Sequence, residues 1–275
     1  MKQKFSVLLS VFKKDDYNHL SECLDSIWDK QTLKPDEIII IKDGILDDSK
    51  NNLIASFKYK ADEKIKIISL KNNLGLGNAL NVGLNECSYD IVARMDADDI
   101  AMPNRFETQL EFMKLNKVDI LGSFAKEIDM KGNIIDYRKM PINHNEIYLS
   151  LWANSIIHSS VMFRRKKILK VGSYNPSHRR RQDYDLWFRC AKHGLIFHNI
   201  PEFLINYRFS EKTLSKQSSI EYLKQGIIGY NGSSTIGLSH IYRFLCFYPF
   251  FRSILPISLQ KYLYYKLKKF DPRNQ

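Results

Sequence analysis

The chain has 275 residues, of which 44% are apolar, and it carries a formal net charge of +12. This length suits one large α/β domain with a small appendage, and the apolar fraction excludes a wholly disordered chain. The absence of any run of about 18 apolar residues argues against a membrane-spanning helix, and the N-terminal run is too short and strand-like for a signal peptide. Four scattered cysteines show no metal spacing, which favours a reducing cytoplasm. The positive charge leaves nucleic acid, anionic lipid and phosphate-bearing substrates as candidate partners.

The first part of the chain alternates strand-like runs with helical patterns. Residues 4–11 and 37–42 predict buried strands, because their apolar residues follow one another almost without a break. Between them lies an amphipathic helix, whose apolar positions are Leu20, Cys23, Leu24, Ile27 and Trp28. A helix over 47–58, a strand over 65–70 and a helix that opens at the turn 72–78 follow.

A fourth buried strand begins at residue 90 and runs directly into three carboxylates, Asp96, Asp98 and Asp99. Four strands separated by helices predict βαβ units and a parallel sheet, which binds ligands at the carboxyl ends of its strands. Three acids this close repel one another unless a cation lies between them. A divalent metal ion that is also bound by nucleotide phosphates meets this need.

The acidic stretch has two other interpretations. A solvated acidic turn is common after a strand, and only the surrounding motifs distinguish it from a metal site. An EF-hand loop also places Asp96, Asp98 and Glu107 at ligand positions. Ile100 and Ala101, however, occupy the places of an oxygen ligand and the turn glycine, which excludes the EF-hand.

The remaining elements are less regular, and no internal repeat is present. The pattern predicts helices over 104–115 and 182–190, and strands over 118–124, 132–137, 159–163 and 195–200.

Four further positions have both a functional and a structural interpretation. Asp43 is a candidate contact to a base or ribose, or a turn-forming residue. Gly75 is a candidate phosphate contact at a helix N-terminus, or a helix cap. Asp183 is a candidate general base, or an N-terminal helix residue. His158 is a candidate base or phosphate contact, although a lone histidine is more often structural.

Taken in order, these motifs resemble those of family 2 glycosyltransferases with the GT-A fold, of the type that builds bacterial O-antigen, capsule or exopolysaccharide. The likeness covers residues 4–210. Its marks are the opening strand, Lys42-Asp43-Gly44, Asn73 to Gly77 with Asn81, Ala93 to Asp99 with Pro103 and Arg105-Phe106, His158 to Phe163, and Gln182 to Trp187. The resemblance implies a Rossmann-like α/β fold with a mixed, mainly parallel sheet flanked by helices and a C-terminal helical appendage. We expect a glycosyltransferase domain over 1–210 and a basic, aromatic, membrane-associating segment over 211–275.

The resemblance also implies a role for each matching residue. Asp183 matches the catalytic base of inverting members. Asp96 and Asp98 form the D-x-D pair, with Asp98 as ligand of Mn²⁺ or Mg²⁺, Asp96 at the ribose or metal, and Asp99 as a further metal ligand. The implied donor-binding residues are Ser10, Val11, Phe12, Asp43, Asn73, Gly75, Arg94 and Asp96.

The sequence departs from the family pattern at several positions. Gln182 stands where an acid usually precedes the catalytic aspartate, and Leu80 where many members carry an arginine. Tyr207-Arg208 is followed by Phe209-Ser210 rather than by the histidine that often contacts the metal or phosphate. The Q-x-x-R-W motif of processive synthases is absent, which indicates transfer of a single sugar.

The implied activity is inverting, metal-dependent transfer of one sugar from a nucleotide-sugar, a UDP-hexose such as UDP-Gal, UDP-Glc or UDP-GlcNAc. The implied acceptor is a polyprenyl-diphosphate-linked saccharide in lipopolysaccharide O-antigen, capsule or exopolysaccharide synthesis. Such an enzyme is expected in the cytoplasm, peripherally bound to the inner face of the bacterial plasma membrane.

The C-terminal tail supports a membrane partner. Residues 240–275 contain seven Lys or Arg against one Asp, and an apolar run spans 244–251. Interleaved aromatic and basic residues predict an interfacial helix on an anionic membrane surface. The alternative is a pair of C-terminal helices packed on the domain.

Two rival functions remain at this stage. A nucleotidyltransferase also uses strand-end carboxylates and metal, but it needs a basic glycine-rich loop near the N-terminus, and residues 10–16 lack glycine. A nucleic-acid-binding module would explain the net charge and Arg179-Arg180-Arg181. No recognised motif for that role is present, so we expect no nucleic-acid partner.

Overall fold

A computed structural model describes residues 3–209, 218–256, 259, 260, 262 and 266. In these residues a single sheet contains nine strands. They are β1 (Phe5–Val11), β2 (Glu37–Lys42), β3 (Ile65–Ser69), β4 (Ile91–Asp96), β5 (Ile100–Ala101), β6 (Ile120–Ile128), β7 (Ile134–Arg138), β8 (Met162–Arg164) and β9 (Phe197–Arg208). The strand order is β3-β2-β1-β4-β8-β6-β9-β5, and β7 pairs with β6.

Helices connect and cover these strands. They are α1 (Tyr17–Ile27), α2 (Asp48–Ala61), α3 (Leu76–Glu86), α4 (Arg105–Leu115), α5 (His144–Ser150), α6 (Arg165–Lys170), α7 (Gln182–Lys192), α8 (Ser219–Thr235), α9 (His240–Leu245) and α10 (Tyr248–Ser253). Several begin at capping side chains. Asp16 caps α1 by accepting hydrogen bonds from the amides of Asn18 and His19, and Asp47 caps α2 in the same way.

The first half of the sheet is parallel, as predicted. β1 lies between β2 and β4, and β3 is added beyond β2. Because the strands share one direction, their carboxyl ends meet at one edge. The register places Ser10 opposite Asp96, and Val11 opposite Lys42.

The second half makes the sheet mixed. β8 runs antiparallel to both β4 and β6, whereas β9 runs parallel to β6. This confirms the predicted mixed, mainly parallel sheet flanked by helices.

Several predicted bounds in this half were wrong. His158–Ser160 forms a 3₁₀ turn, and the strand begins only at Met162. β9 extends to Arg208 rather than ending at residue 200, because the sheet accommodates Pro201 by a register shift opposite Ser123 and Phe124. Helix α5 and the short strand β5 were not predicted from the sequence patterns.

Alternate side chains of the strands supply two core layers. Val7 and Leu9 face α1, α2 and α4, whereas Leu8 faces α3, α5 and α7. Two-sided burial explains why the parallel strands are almost continuously apolar. Packing on both faces of the sheet also fixes the positions of the two sets of helices relative to the strand ends.

The C-terminal helices pack on α7 through glycines of α8. A Cβ atom at Gly226 would lie 2.5 Å from the Phe247 ring, and one at Gly229 would lie 2.5 Å from the Tyr184 hydroxyl oxygen. At Gly232 it would lie 2.2 Å from Cδ2 of Phe188. The described C-terminal residues therefore include helices docked on the domain. The predicted division between residues 210 and 211 lies in the stretch 210–217, outside the described residues.

The described part of the chain has no helix of the length and apolarity needed to cross a bilayer.

The close approach of α8 to α7 gives a stability prediction. Gly232→Ala should destabilise the protein by roughly 1–3 kcal/mol, because the new methyl group collides with the buried Phe188 ring. This exceeds the gain of about 1 kcal/mol in helix propensity. Urea denaturation followed by circular dichroism measures the change.

Ser234→Ala, at an exposed position of the same helix, is the control and should leave the midpoint nearly unchanged. A midpoint for Gly232→Ala at or above the wild-type value would show that α8 does not pack this closely on α7.

Candidate active site

Three carboxylates meet where β4 ends. Oxygen atoms of Asp96, Asp98 and Asp99 lie within 4.8 Å of one another. Asp96 is the last residue of β4, and Asp98 and Asp99 lie in the turn before β5. The strand therefore delivers all three acids to the carboxyl edge of the sheet.

The crowding changes the protonation of these acids. Desolvation, together with the negative charge of Asp96, raises the pKa of Asp98 to about 6. Burial, with the charges of Asp98 and Asp96, holds the pKa of Asp99 well above its ordinary value. Ionising all three carboxylates therefore costs free energy, and a bound cation would remove that cost.

Arg208 holds the acidic turn in place through hydrogen bonds. Its guanidinium donates to the carbonyl oxygens of Asp98 at 2.9 Å and Asp129 at 3.0 Å, and to Oε2 of Glu22 at 2.6 Å. Its amide donates to Oδ1 of Asp99 at 2.7 Å. The supporting role of Arg208 was not predicted, because it depends on the unpredicted extension of β9.

The acid cluster fits a divalent metal ion. Oδ2 of Asp99 is buried and has no hydrogen-bond partner in the described part of the chain. The donor set consists of carboxylate oxygens, which Mg²⁺ and Mn²⁺ prefer.

Arg94 lies in the wall behind the acids. Its side chain is only 1% exposed, and it forms an ion pair with Asp96. Its Nε and Nη1 atoms have no hydrogen-bond partner among the described residues. Because Arg94 is buried, it acts on the site through its ion pair with Asp96 and not through direct contact with a ligand.

Tyr174 joins the acid cluster to the other side of the crevice. Its buried hydroxyl lies 2.8 Å from Nε2 of His158, and the charges of Arg94, Asp183 and Asp96 all act on it. Burial raises the pKa of Tyr174, and burial together with the charge of Arg94 holds the pKa of His158 well below its usual range. The hydrogen bond therefore joins a neutral phenol and a neutral imidazole, with its direction set by the histidine tautomer, and this buried pair supports the structural interpretation of His158.

Asp183 lies at the start of α7, on the Tyr174 side of the crevice. Its Oδ2 accepts a hydrogen bond of 3.3 Å from the Asn154 side chain. Asp185 points elsewhere and pairs with Arg189 at 2.8 Å. The helix therefore separates the two acids, and only Asp183 belongs to this group of residues.

Asp43 holds the glycine turn together. Its carboxylate is 3% exposed and accepts hydrogen bonds from the Leu74 amide at 2.7 Å, the Gly75 amide at 3.0 Å and the Asn73 side chain at 2.8 Å. Gly44 allows this contact, because a Cβ atom there would lie 2.9 Å from the Asn73 amide nitrogen. In this structure the amides of Leu74 and Gly75 are occupied by Asp43.

The glycine turn also contacts α7. A Cβ atom at Gly77 would lie 3.5 Å from Cβ of Gln182, the residue before Asp183. Two hydrogen bonds between Asn81 and the backbone of Tyr174, at 2.7 and 2.9 Å, fix the neighbouring segment. The turn held by Asp43 and the start of α7 are thus linked through these contacts.

The end of β1 lines the crevice beside the acids. Ser10 and Phe12 are partly exposed, whereas Val11 is buried. The Phe12 amide donates to Oδ2 of Asp15 at 2.7 Å, and burial, with the charges of Asp98 and Asp96, raises the pKa of Asp15 to about 6. Asp15 was not predicted as a site residue. The indication in the sequence was an acidic residue shortly after the first strand.

Residues 6–173 match the sequence model described as Glycosyl transferase family 2. The chain belongs to this family. It is a glycosyltransferase, and the family commonly uses a divalent metal ion.

Curated relatives of this family match almost the whole chain. It is 35% identical over 276 residues to the UDP-Gal:alpha-D-GlcNAc-diphosphoundecaprenol beta-1,3-galactosyltransferase of Escherichia coli, covering 96% of both chains. It is 31% identical to the amylovoran biosynthesis glycosyltransferase AmsE of Erwinia amylovora, covering 96% of this chain and 99% of AmsE. This assignment favours a glycosyltransferase over the rival nucleotidyltransferase.

Solved structures share the fold. The chain matches S. aureus TarS 1–349 in complex with UDP-GlcNAc with a TM-score of 0.66, at 17% identity, over 97% of this chain and 76% of the other. A longer TarS chain matches with a TM-score of 0.67 at 16% identity, over 96% of this chain and 46% of that one. The glycosyltransferase therefore has the predicted GT-A fold.

The raised pKa of Asp98 gives a prediction for the metal-free protein. The unfolded chain releases this proton near its ordinary pKa of 3.8, whereas the native state holds it to about 6. The free energy of unfolding therefore falls as pH rises through this interval and is level above it. Asp98→Asn should raise the free energy of unfolding at about pH 7.5 by roughly 1 kcal/mol, since solvent screens part of the repulsion.

Chemical denaturation in EDTA at about pH 7.5 and about pH 4 measures this effect, which should vanish at the lower pH. Glu63→Gln, an exposed acid before β3 at the opposite edge of the sheet, is the control. Adding Mn²⁺ should stabilise the wild type more than Asp98→Asn. A variant less stable than the wild type in EDTA would contradict the strained acid cluster.

Proposed function

We propose that this glycosyltransferase moves one sugar, with inversion, from a UDP-hexose to a saccharide linked to a polyprenyl diphosphate. The observation that carries the proposal is the convergence of Asp96, Asp98 and Asp99 at the end of β4. The charges of Asp96 and Asp183 both act on Tyr174, which supports Asp183 as a residue of the same site. The name of the Escherichia coli relative, which specifies UDP-Gal and a diphosphoundecaprenol acceptor, supports both substrates. The TarS complex with UDP-GlcNAc supports a UDP-sugar.

The donor is expected to lie along the carboxyl edge of the sheet. Ser10, Val11 and Phe12 would line the nucleotide pocket on one side, and the turn with Asn73 and Gly75 on the other. Asp43 would contribute by shaping that turn, because its oxygens already accept three hydrogen bonds. Arg94 would orient Asp96 from behind rather than touch the donor.

Asp98, Asp96 and Asp99 would hold the Mn²⁺ or Mg²⁺ ion. When bound, such an ion offsets the negative charge of the departing diphosphate. Arg208 contributes by fixing the backbone of this turn, so that the carboxylates converge before substrate arrives.

Asp183 would act as the general base. Its carboxylate takes the proton of the acceptor hydroxyl as that oxygen attacks the anomeric carbon from the face opposite to UDP. The carbon–oxygen bond to the diphosphate breaks, UDP leaves with the electron pair, and the anomeric configuration inverts. Asn154 donates to this carboxylate and would hold its orientation. Without the Q-x-x-R-W motif, one sugar is transferred per cycle.

The biological setting we propose is synthesis of a bacterial surface polysaccharide such as O-antigen, capsule or exopolysaccharide. The E. coli relative has a lipid-linked acceptor in its name, and AmsE is named for amylovoran biosynthesis. The enzyme would work in the cytoplasm, peripherally on the inner face of the plasma membrane, with residues 211–275 as its membrane-associating segment.

The described C-terminal helices provide an apolar face for this membrane contact. Helices α9 and α10 form a groove of about 440 Å³, lined by His240, Ile241, Phe244, Leu245, Tyr248 and Phe251. Ile241 is 72% exposed, Phe244 63% and Phe251 58%. Lys266 adds a positive charge, whereas Lys261, Leu263, Tyr265 and the tail after Lys266 lie outside the described residues.

Asp183→Asn should abolish transfer while leaving donor binding intact. Loss of the general base is expected to lower kcat by about 10²–10⁴-fold. Nucleotide release is measured with a panel of UDP-, GDP- and dTDP-sugars, Mn²⁺ and a lipid-linked acceptor, and donor affinity by calorimetry. The wild type should prefer a UDP-sugar.

Asp185→Asn is the matched control, because its carboxylate is held by Arg189 outside the crevice. It should retain transfer. Normal turnover in Asp183→Asn would remove Asp183 as the base, and wild-type release from GDP-sugars alone would exclude the UDP donor.

Serine substitutions at Ile241, Phe244 and Phe251 should weaken binding to vesicles with anionic lipid, because these side chains form the proposed apolar contact. Flotation of the full-length protein with phosphatidylglycerol vesicles measures the bound fraction. The control carries serines at Ile134, Ile135 and Tyr137, apolar residues of β7 that are 50–52% exposed. Equal flotation of the two variants would exclude this face as the membrane contact.

A further inference from the structure

We infer that Arg179 and Arg180, in the segment before α7, bind the diphosphate of the lipid-linked acceptor beside Asp183. The inference rests on the proposed function and assigns its acceptor site. It uses the three consecutive arginines at 179–181, which the donor site and the base leave unexplained.

The position of these arginines matches the chemistry of the acceptor. Arg181 directly precedes α7, and Asp183 is the second residue of that helix. Four residues of chain span at most about 14 Å, so Arg179 cannot lie farther than this from Asp183 along the backbone. In an acceptor whose reacting sugar is joined to the diphosphate, one sugar ring separates the attacking hydroxyl from the phosphates.

The segment before α7 concentrates positive charge next to the proposed base. Three arginines precede the helix, whose first turn holds the acids Asp183 and Asp185. Asp185 pairs with Arg189 of the same helix, so it does not offset the charge of the arginine segment. Arg181 has a left-handed backbone, with φ 59° and ψ 25°.

The side chains of the segment differ in their partners. Arg181 turns towards α8, donates to Oε1 of Gln225 at 3.0 Å and lies over the Tyr184 ring. Arg180 lies 3.7 Å from a carboxylate oxygen of Glu221, and both remain solvent-exposed. Arg179 is exposed and has no ion pair or hydrogen bond within residues 3–209 and 218–256. Two guanidinium groups are therefore open to a diphosphate, which they can grip through paired N–H donors.

The same helices connect the arginines to the apolar groove. α8, which contacts Arg180 and Arg181, packs through Gly226 on Phe247, between α9 and α10. Trp152, two residues before Asn154, stacks on Tyr242 of α9 with ring centroids 6.0 Å apart. The base, the arginine segment and the apolar groove thus belong to elements that pack on one another, which suits an acceptor composed of a sugar, a diphosphate and a lipid.

A metal-free binding experiment tests this site. Geranyl diphosphate is titrated into the full-length protein in EDTA, so that binding cannot depend on the metal at the donor site. The wild type should bind one equivalent, and Arg179→Gln/Arg180→Gln should bind about tenfold more weakly, since charge-assisted hydrogen bonds are lost. Arg179→Gln alone, which keeps the Arg180–Glu221 contact, should show an intermediate loss.

Lys192→Gln removes an exposed cation from the other end of α7 and is the control, with unchanged affinity expected. No binding by the wild type, or equal affinity in the double variant, would overturn the inference. Loss of flotation on phosphatidylglycerol vesicles, with geranyl diphosphate binding unchanged, would assign the arginines to lipid headgroups and overturn it too. Metal-dependent UDP-sugar binding is measured separately on the same proteins, so failure of the proposed function is distinguishable.

Discussion

Mutual repulsion of acids at the end of β4 is the constraint on which the rest of this active site depends. Asp96, Asp98 and Asp99 are held within 4.8 Å, although desolvation and the charge of Asp96 raise the pKa of Asp98 to about 6. Arg94 pairs with Asp96 from the wall, and Arg208 fixes the turn through its backbone. These two cations orient the acids without filling the space between them, which leaves that space to a metal ion.

The parallel half of the sheet makes this arrangement possible. Since β1, β2 and β4 end at one edge, the acidic turn, the end of β1 and the turn held by Asp43 are neighbours. The antiparallel half of the sheet positions the remaining residues of the site. β8 follows the segment that carries Asn154 and His158, which contact Asp183 at the start of α7 and Tyr174, respectively.

Much of the site was predictable from strand patterns and motifs, but the partners of its side chains were not. The ends of β1, β2 and β4 followed from continuous apolar runs, and these ends placed Ser10, Asp43 and Asp96 at one edge. The hydrogen bonds that Asp43 accepts from the amides of Leu74 and Gly75 depend on contacts between residues 31 and 32 positions apart in the chain. The long β9 was missed because Pro201 and polar residues interrupt its pattern, and with it the supporting role of Arg208.

The sequence by itself determined the fold class, the family and the acids of the D-x-D motif, because these depend on local periodicity and on motifs contiguous in the chain. Only the tertiary structure decided that the charges of Asp96 and Asp98 act on Asp15, and that Asp185 pairs with Arg189 while Asp183 accepts a hydrogen bond from Asn154. It also decided that the described C-terminal helices dock on α7 through glycines of α8. These outcomes depend on contacts between segments far apart in the chain, and on burial and charge, which local patterns do not contain.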